Sequence, residues 1–303
     1  MNLGQKIRAR LSFKNIGQLE SISAYMFIAP FYLLFAIFKV YPVLFSLYVS
    51  FFKWNGFGPM RPVGLKNYVD LVNDASFWKT LSNTTFIWLG NVFLVVGLGF
   101  LLALLLDSQH LTFKGLFRGI FYIPQTIAVV AIALTFAYIF DTEFGVINLL
   151  LKALSVPKVP WLIDGTWAKI SLIILIVWRV APWHMVVMLA GLQSIDGSVY
   201  EAARIDGATF WQTTMRITIP LLKPIFFYCF LMATISSFKT FAEPYALTGG
   251  GPGEATRTLS LYMYQNGFEF LKLGYASAIS YVLIAIIMVI SVVQMVFFRS
   301  EVE

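Results

Sequence analysis

The sequence predicts an all-α membrane protein with six transmembrane helices, and three observations carry that prediction. Of 303 residues, 59% are hydrophobic and 12% charged, about half the charge share of an ordinary soluble domain. Mean hydropathy is +0.78, which makes lipid rather than water the main solvent. Apolar runs such as LVVGLGFLLALLL at 94–106 do not alternate, whereas the strands of a membrane barrel do. In lipid the backbone must satisfy its own polar groups, so such runs are helices.

Taken in order, the first span is Ala24–Phe52, which contains Lys39 and Pro42. Phe86–Leu106 and Gly119–Phe140 follow, both free of Asp, Glu, Lys, Arg and His, each reaching the ~20 residues that cross a bilayer core. Ile170–Leu192 contains Arg179, Pro182 and His184, and Leu221–Phe241 carries Lys223 and Pro224 at its start and Lys239 near its end. Gly274–Phe298 is again free of charge. Pro30 and Pro224 suit helix starts, where a missing N–H costs little; Pro42, Pro124 and Pro182 lie deeper and are expected to kink their helices.

The domain plan is a basic tail over residues 1–20, a six-helix domain over 21–298 and a short tail over 299–303. Lys6, Arg8, Arg10 and Lys14 precede the first span against Glu20 alone, which places both termini in the cytoplasm. Loops 107–118 and 193–219 then face the cytoplasm, and 53–82, 141–168 and 242–273 face outward. Within the tail, Ile7 and Leu11 have the spacing of a short surface helix. No signal-peptide core and cleavage site follow the basic start, so the first apolar stretch is read as a retained span.

Composition excludes several functions. The net charge is +7, but Lys and Arg are scattered and form no stripe for nucleic acid; anionic membrane lipid is the partner for that charge. The single cysteine, Cys229, can form neither an internal disulfide nor a cysteine-based metal site. His110 and His184 lie far apart, and no paired acid, base or metal set appears, so no catalytic and no metal residues are expected. GGGPGEATRT at 249–258 lacks the G-K-[ST] ending of a phosphate loop and is read as a Gly-rich turn.

One segment breaks the oily pattern. VYEAARIDGATFWQTTMRITIPLLKP, residues 199–224, reads as a short helix, a Gly turn at Gly207, a second short helix and entry to the fifth span. Ser198 is placed to cap the first helix, with Glu201 at capping-box spacing. Glu201 and Arg204 are spaced for a surface pair. Ala202, Ala203 and Ala208 are small enough to let another backbone approach closely. These features fit either an interfacial helix or a docking knob.

The residues 201–224 resemble the EAA loop of bacterial ABC-importer permeases, matching at Glu201, Ala202, Ala203, Asp206, Gly207, Ala208, Ile217 and Pro220. They depart at Thr214 and Ile219, where the family often has Phe and Leu. FAEPYALTGGGPGEATRTL at 241–259 is similar to the segment after span five in carbohydrate-importer permeases of the maltose and glycerol-phosphate type, and LGYASAISYVL at 273–283 fits that subgroup's last span. With the six-span plan, the resemblance covers residues 20–298.

The resemblance implies a type I importer permease fold and a coupling loop at 197–220. Glu201 would contact the ATPase, and Gly207 would shape the turn. It also implies a second, different permease subunit, two cytoplasmic ATPase subunits that bind ATP and Mg, and an extracellular or periplasmic binding protein. This chain would bind no cofactor itself. Positions aligned with the subgroup's sugar contacts are Arg179, Val180 and Trp183 in span four and Ala233, Ser236, Ser237 and Thr240 in span five.

Arg179 lies nine residues into its span with no Asp or Glu deep in any span. A mid-bilayer charge costs about 2.5–3.5 kcal/mol on insertion scales, so a partner is expected: a carboxylate on the other permease, or an acidic sugar or sugar phosphate. Lys39 and Lys239 can reach the interface by snorkelling. An ion-coupled secondary transporter is the alternative, but it calls for intramembrane carboxylates and inverted halves.

Overall fold

The computed structural model describes residues 25–108 and 111–299. The expectations for the tail at 1–20, its helix at Ile7 and Leu11, and the end beyond Arg299 lie outside the described residues.

Four helices are long and apolar enough to cross a membrane unbroken, and two bent helix pairs bring the number to six if each pair is one span. The chain begins with α1 (Tyr25–Val49), which includes a π-helical stretch at Ala36–Val40 directly before Pro42. A two-stranded antiparallel hairpin, β1 (Phe52–Lys53) and β2 (Arg61–Pro62), follows. Next come α2 (Lys66–Val72) and the long α3 (Ala75–Asp107). Asp74 caps α3, accepting from the Ser76 N–H. The expected second span, Phe86–Leu106, is therefore the inner part of a longer helix. Its first turns carry Lys79 and Asn83, which hydropathy leaves outside lipid.

The third expected span, Gly119–Phe140, is not one straight helix. It is α4 (Lys114–Thr126) and α5 (Val129–Ile139), bent by 94°. Pro124 lies in the last turn of α4, and Ile127 and Ala128 are extended. Proline removes one backbone donor and clashes with the preceding turn, and here the helix stops rather than kinks. Around Pro182 the outcome differs, because α7 (Gly165–Leu192) continues through it. Between these lies α6 (Val146–Ala153).

After α7 come α8 (Gly197–Ile205) and α9 (Phe210–Leu221), then α10 (Lys223–Phe238), bent 71° from α9. Beyond α10 the chain forms α11 (Ala242–Thr248), α12 (Leu259–Tyr264) and α13 (Leu273–Arg299).

The bundle is built around α3 and α7. Val92, Val95, Val96 and Phe100 of α3 pack with Met185, Met188 and Leu189 of α7 and with Cys229 and Ala233 of α10. Gly99 makes this possible. A Cβ there would stand 2.7 Å from the His184 Cβ and 3.0 Å from the Met185 N. Small residues at a membrane helix crossing let backbones approach and gain dispersion. His184, fully inside this crossing, keeps its Nδ1 at 3.3 Å from the Val180 carbonyl. The ring is packed in the core of the crossing.

The expected outer loop 242–273 is partly a bundle element. Leu247 of α11 is buried with Ile132 and Ala133 of α5 and with Leu172, Leu175 and Ile176 of α7. The Gly-rich turn after it is tied to α3: Lys79 Nζ donates to the Gly253 carbonyl at 2.8 Å and Asn83 Nδ2 to that of Glu254 at 2.7 Å. By contrast, none of the apolar window of α1 is buried, and the helix is held to the bundle near its end, where the Tyr281 hydroxyl of α13 donates to the Val43 carbonyl and lies 3.1 Å from the Ser46 hydroxyl.

Candidate functional site

The charged segment forms a projecting helix–turn–helix at the end of the bundle where α7 finishes and α10 begins. Asp196, not Ser198, caps α8. Its carboxylate accepts from the Ser198 N–H at 2.9 Å, so the cap lies two residues before the one the sequence suggests. Hydrogen bonds from the Ser198 backbone and hydroxyl outweigh desolvation and hold the Asp196 carboxyl below its ordinary pKa. Gly207 closes the turn at φ +74°, a left-handed conformation that costs side-chain-bearing residues about 1–2 kcal/mol. The next helix starts with a full capping box between Thr209 and Gln212.

Glu201, Ala202, Asp206 and Gly207 are exposed on this projection, and Ala208 is partly so. Ala203 is different: it is buried against its own chain, so only part of the small-residue set faces outward. The segment also exposes Ile205, Phe210 and Trp211, at 86%, 72% and 65%. Large apolar side chains exposed together on one short segment are the kind of surface that marks a protein or membrane contact.

The expected pathway residues divide into two groups. Trp183 meets Tyr228 of α10 with ring centroids 6.1 Å apart and touches His184 edge-on at 4.9 Å. Val180 packs against both neighbouring core clusters. Ala233, Ser237 and Thr240 are buried, whereas Ser236 is exposed with Lys239. The Thr240 hydroxyl donates to the Ser236 carbonyl at 3.2 Å, and the Thr240 carbonyl accepts from Thr258 at 2.7 Å. Its proton is therefore engaged within the chain. Lys39 is exposed on α1.

Arg179 corrects the sequence reading most directly. Its guanidinium Nη2 is paired with Glu243 of α11. Both side chains are largely buried, at 16% and 7% exposure. Glu243 falls in what reads as an outer loop, but α11 returns along α7 and brings the carboxylate to the level of Arg179. From Gly165 to Arg179 is about 21 Å along the helix, so this pair lies deep in the bundle. The missing acidic partner is in the chain itself. Sequence spacing does not signal the pair, because α10 ends at Phe238 and α11 starts afresh at Ala242, with Phe241 at non-helical dihedrals between them.

Asn91 is a second residue that hydropathy passes over. It is 1% exposed on α3, and its side-chain amide has no partner among the described residues. It lies one turn from Trp88, whose Nε1 donates to Thr234 at 3.1 Å.

The family model for the binding-protein-dependent transport system inner membrane component matches residues 95–300. The chain belongs to that family. It is a multi-pass inner-membrane permease component. It is 36% identical to the lactose transport system permease protein LacF of Rhizobium radiobacter, over 94% of this chain and 97% of that one. It is 35% identical to the sulfoquinovosyl glycerol transport system permease protein SmoG of Agrobacterium fabrum, over 93% and 92%. A chain of a bacterial alginate ABC transporter, solved with an alginate pentasaccharide-bound periplasmic protein, shares the fold at TM-score 0.79 and 24% identity, covering 93% of this chain and 95% of that one. Glu243 does supply one buried carboxylate of the kind an ion-coupled carrier needs, but it is held by Arg179, and the family is that of ABC permeases.

Proposed function

We propose that this permease subunit imports a sugar or oligosaccharide and receives ATP-driven motion through the projection at 197–220. The two named relatives above transport a disaccharide and a sugar-derived glycoside by their names, which supports a carbohydrate cargo. Arg179, already paired with Glu243, sets no demand for an acidic one. The carrying observation is the projection itself: a capped short helix and a Gly turn that hold Glu201 and Ala202 outward beside exposed Ile205, Phe210 and Trp211.

In this reading the projection is cytoplasmic and docks on an ATPase subunit that carries ATP and Mg. A second permease completes the pathway, and a binding protein delivers cargo to the opposite end. Closure of the ATPases moves α8, and α9–α10 transmit the motion to Ala233, Ser236, Ser237 and Thr240 opposite Arg179, Val180 and Trp183. Coupling through such a path requires a packed two-state element, and the 71° bend between α9 and α10 is its natural lever.

The test is co-expression with the candidate ATPase. Wild type holds the ATPase through purification and imports a labelled sugar, tried as lactose and as maltotriose. Glu201→Lys, or deletion of 201–208, releases the ATPase or leaves hydrolysis running without uptake. Full, coupled uptake after the deletion would refute the assignment.

A further inference from the structure

At the end of the bundle opposite the projection lies a cavity of about 690 Å³ that the transport reading does not use. Three spans contribute to it from the same end. The hairpin just after α1 brings Lys53 and Arg61. The approach to α3 brings Lys66, Asp70 and Asp74, and the start of α13 brings Lys272. Four cations thus face two carboxylates.

The carboxylates are already engaged. Asp70 accepts from Lys66 at 3.1 Å. Asp74 accepts from the Ser76 N–H at 2.8 Å, from the Tyr275 hydroxyl at 2.8 Å and from the Tyr262 hydroxyl. Among the described residues no carboxylate lies within ion-pair distance of Lys53, Arg61 or Lys272.

The hairpin register adds an independent sign. Lys53 and Arg61 are direct cross-strand partners. Like charges directly opposite one another destabilise a strand pair, and here they stand on one face of the shortest possible ladder. An anion between them would relieve that repulsion. The rim is also apolar: Phe57 and Leu271 line the cavity and are 75% and 48% exposed. Trp54 lies beside them. Cations next to exposed apolar and aromatic side chains, at the level where three spans end, match the boundary between headgroups and acyl chains.

The geometry points to an anion site in this cavity, filled by the headgroup of a phospholipid with net negative charge, whose phosphate lacks the compensating ammonium that phosphatidylcholine carries. Lys53, Arg61 and Lys272 hold the phosphate, and Phe57 and Leu271 meet the first acyl carbons.

The test uses the full chain, purified with the subunits that co-extract with it, in nanodiscs of phosphatidylcholine with and without phosphatidylglycerol. Native mass spectrometry reads retained lipid, and thermal melting reads protection. Wild type retains phosphatidylglycerol and melts higher in its presence. Arg61→Gln and Lys272→Gln each weaken retention about fivefold, as expected for one surface cation, and together they abolish the melting shift. Arg61→Lys preserves it. Lys152→Gln, a cation on α6 away from the cavity, leaves retention unchanged. Equal protection by inorganic phosphate in phosphatidylcholine discs keeps the anion site and assigns its source to solution. Retention unchanged in the Arg61→Gln, Lys272→Gln double variant, or lost equally in Lys152→Gln, overturns the site.

Discussion

Arg179 and Glu243 form an ion pair with both side chains largely buried. Removing one partner of a buried ion pair strands the other charge, at a cost of about 3–5 kcal/mol, whereas replacing both by apolar residues is often neutral. Glu243→Gln should therefore lower the melting temperature of the detergent-solubilised chain sharply, and Arg179→Met with Glu243→Leu should recover most of the loss. The same pair separates roles in uptake. If Arg179 contacted cargo, the double variant would fold yet fail to transport; recovered uptake identifies the pair as an internal brace between α7 and α11.

Asp74 makes a second prediction at this scale. Burial pushes its carboxyl up, but hydrogen bonds from Tyr262, Tyr275 and the backbone of Ser76 and Phe77 outweigh that and leave its pKa lowered. A depressed folded pKa contributes stability that is complete above the unfolded value of about 3.9 and is lost as pH falls through the folded one. Asp74→Asn should melt below wild type at neutral pH, and the gap should shrink once pH drops below about 4. A gap that stays constant through that range would show that the hydrogen bonds are not linked to ionisation.

At the scale of the element, the projection depends on its cap and its turn. Asp196→Ala should cost about 1 kcal/mol of α8 stability, read as faster amide exchange across 197–205, while Asp196→Ser should retain protection. Gly207→Ala has to adopt a left-handed backbone, costing about 1–2 kcal/mol. Its expected signature is reduced ATPase retention with little change in global melting. Ser198 and Asp196 compete for the cap. Both Asp196 and Ser198 are good capping residues, and only the backbone path, extended at Asp196, decides which stands at the boundary. The bent third span is similar. Its composition reports an apolar solvent on every side, but it cannot report that the chain turns 94° between Thr126 and Val129, because a break leaves hydropathy unchanged.

For the whole molecule, three features separate along the bundle according to where the spans end. The projection lies at one end, the cation-lined cavity at the other, and the Arg179–Glu243 pair between them. α1, unburied along its apolar window, leaves a large lipid-facing or subunit-facing surface. Co-purification with a second permease should shield α1 residues such as Phe31 and Phe35, both exposed in this chain, from carbene labelling. Unchanged labelling would mean that the surface faces lipid.

The sequence by itself determined the solvent, the helical class, the six apolar stretches and the charged, Gly-broken segment between the fourth and fifth of them. These depend on composition, on chain-local spacing and on a contiguous motif, and all of that is written along one dimension. Tertiary structure decided which charges meet. Glu243 reaches Arg179 across 64 residues, and Lys53 faces Arg61 only through the hairpin register. Electrostatic energy depends on distance and burial, and neither can be read until the chain has folded back on itself.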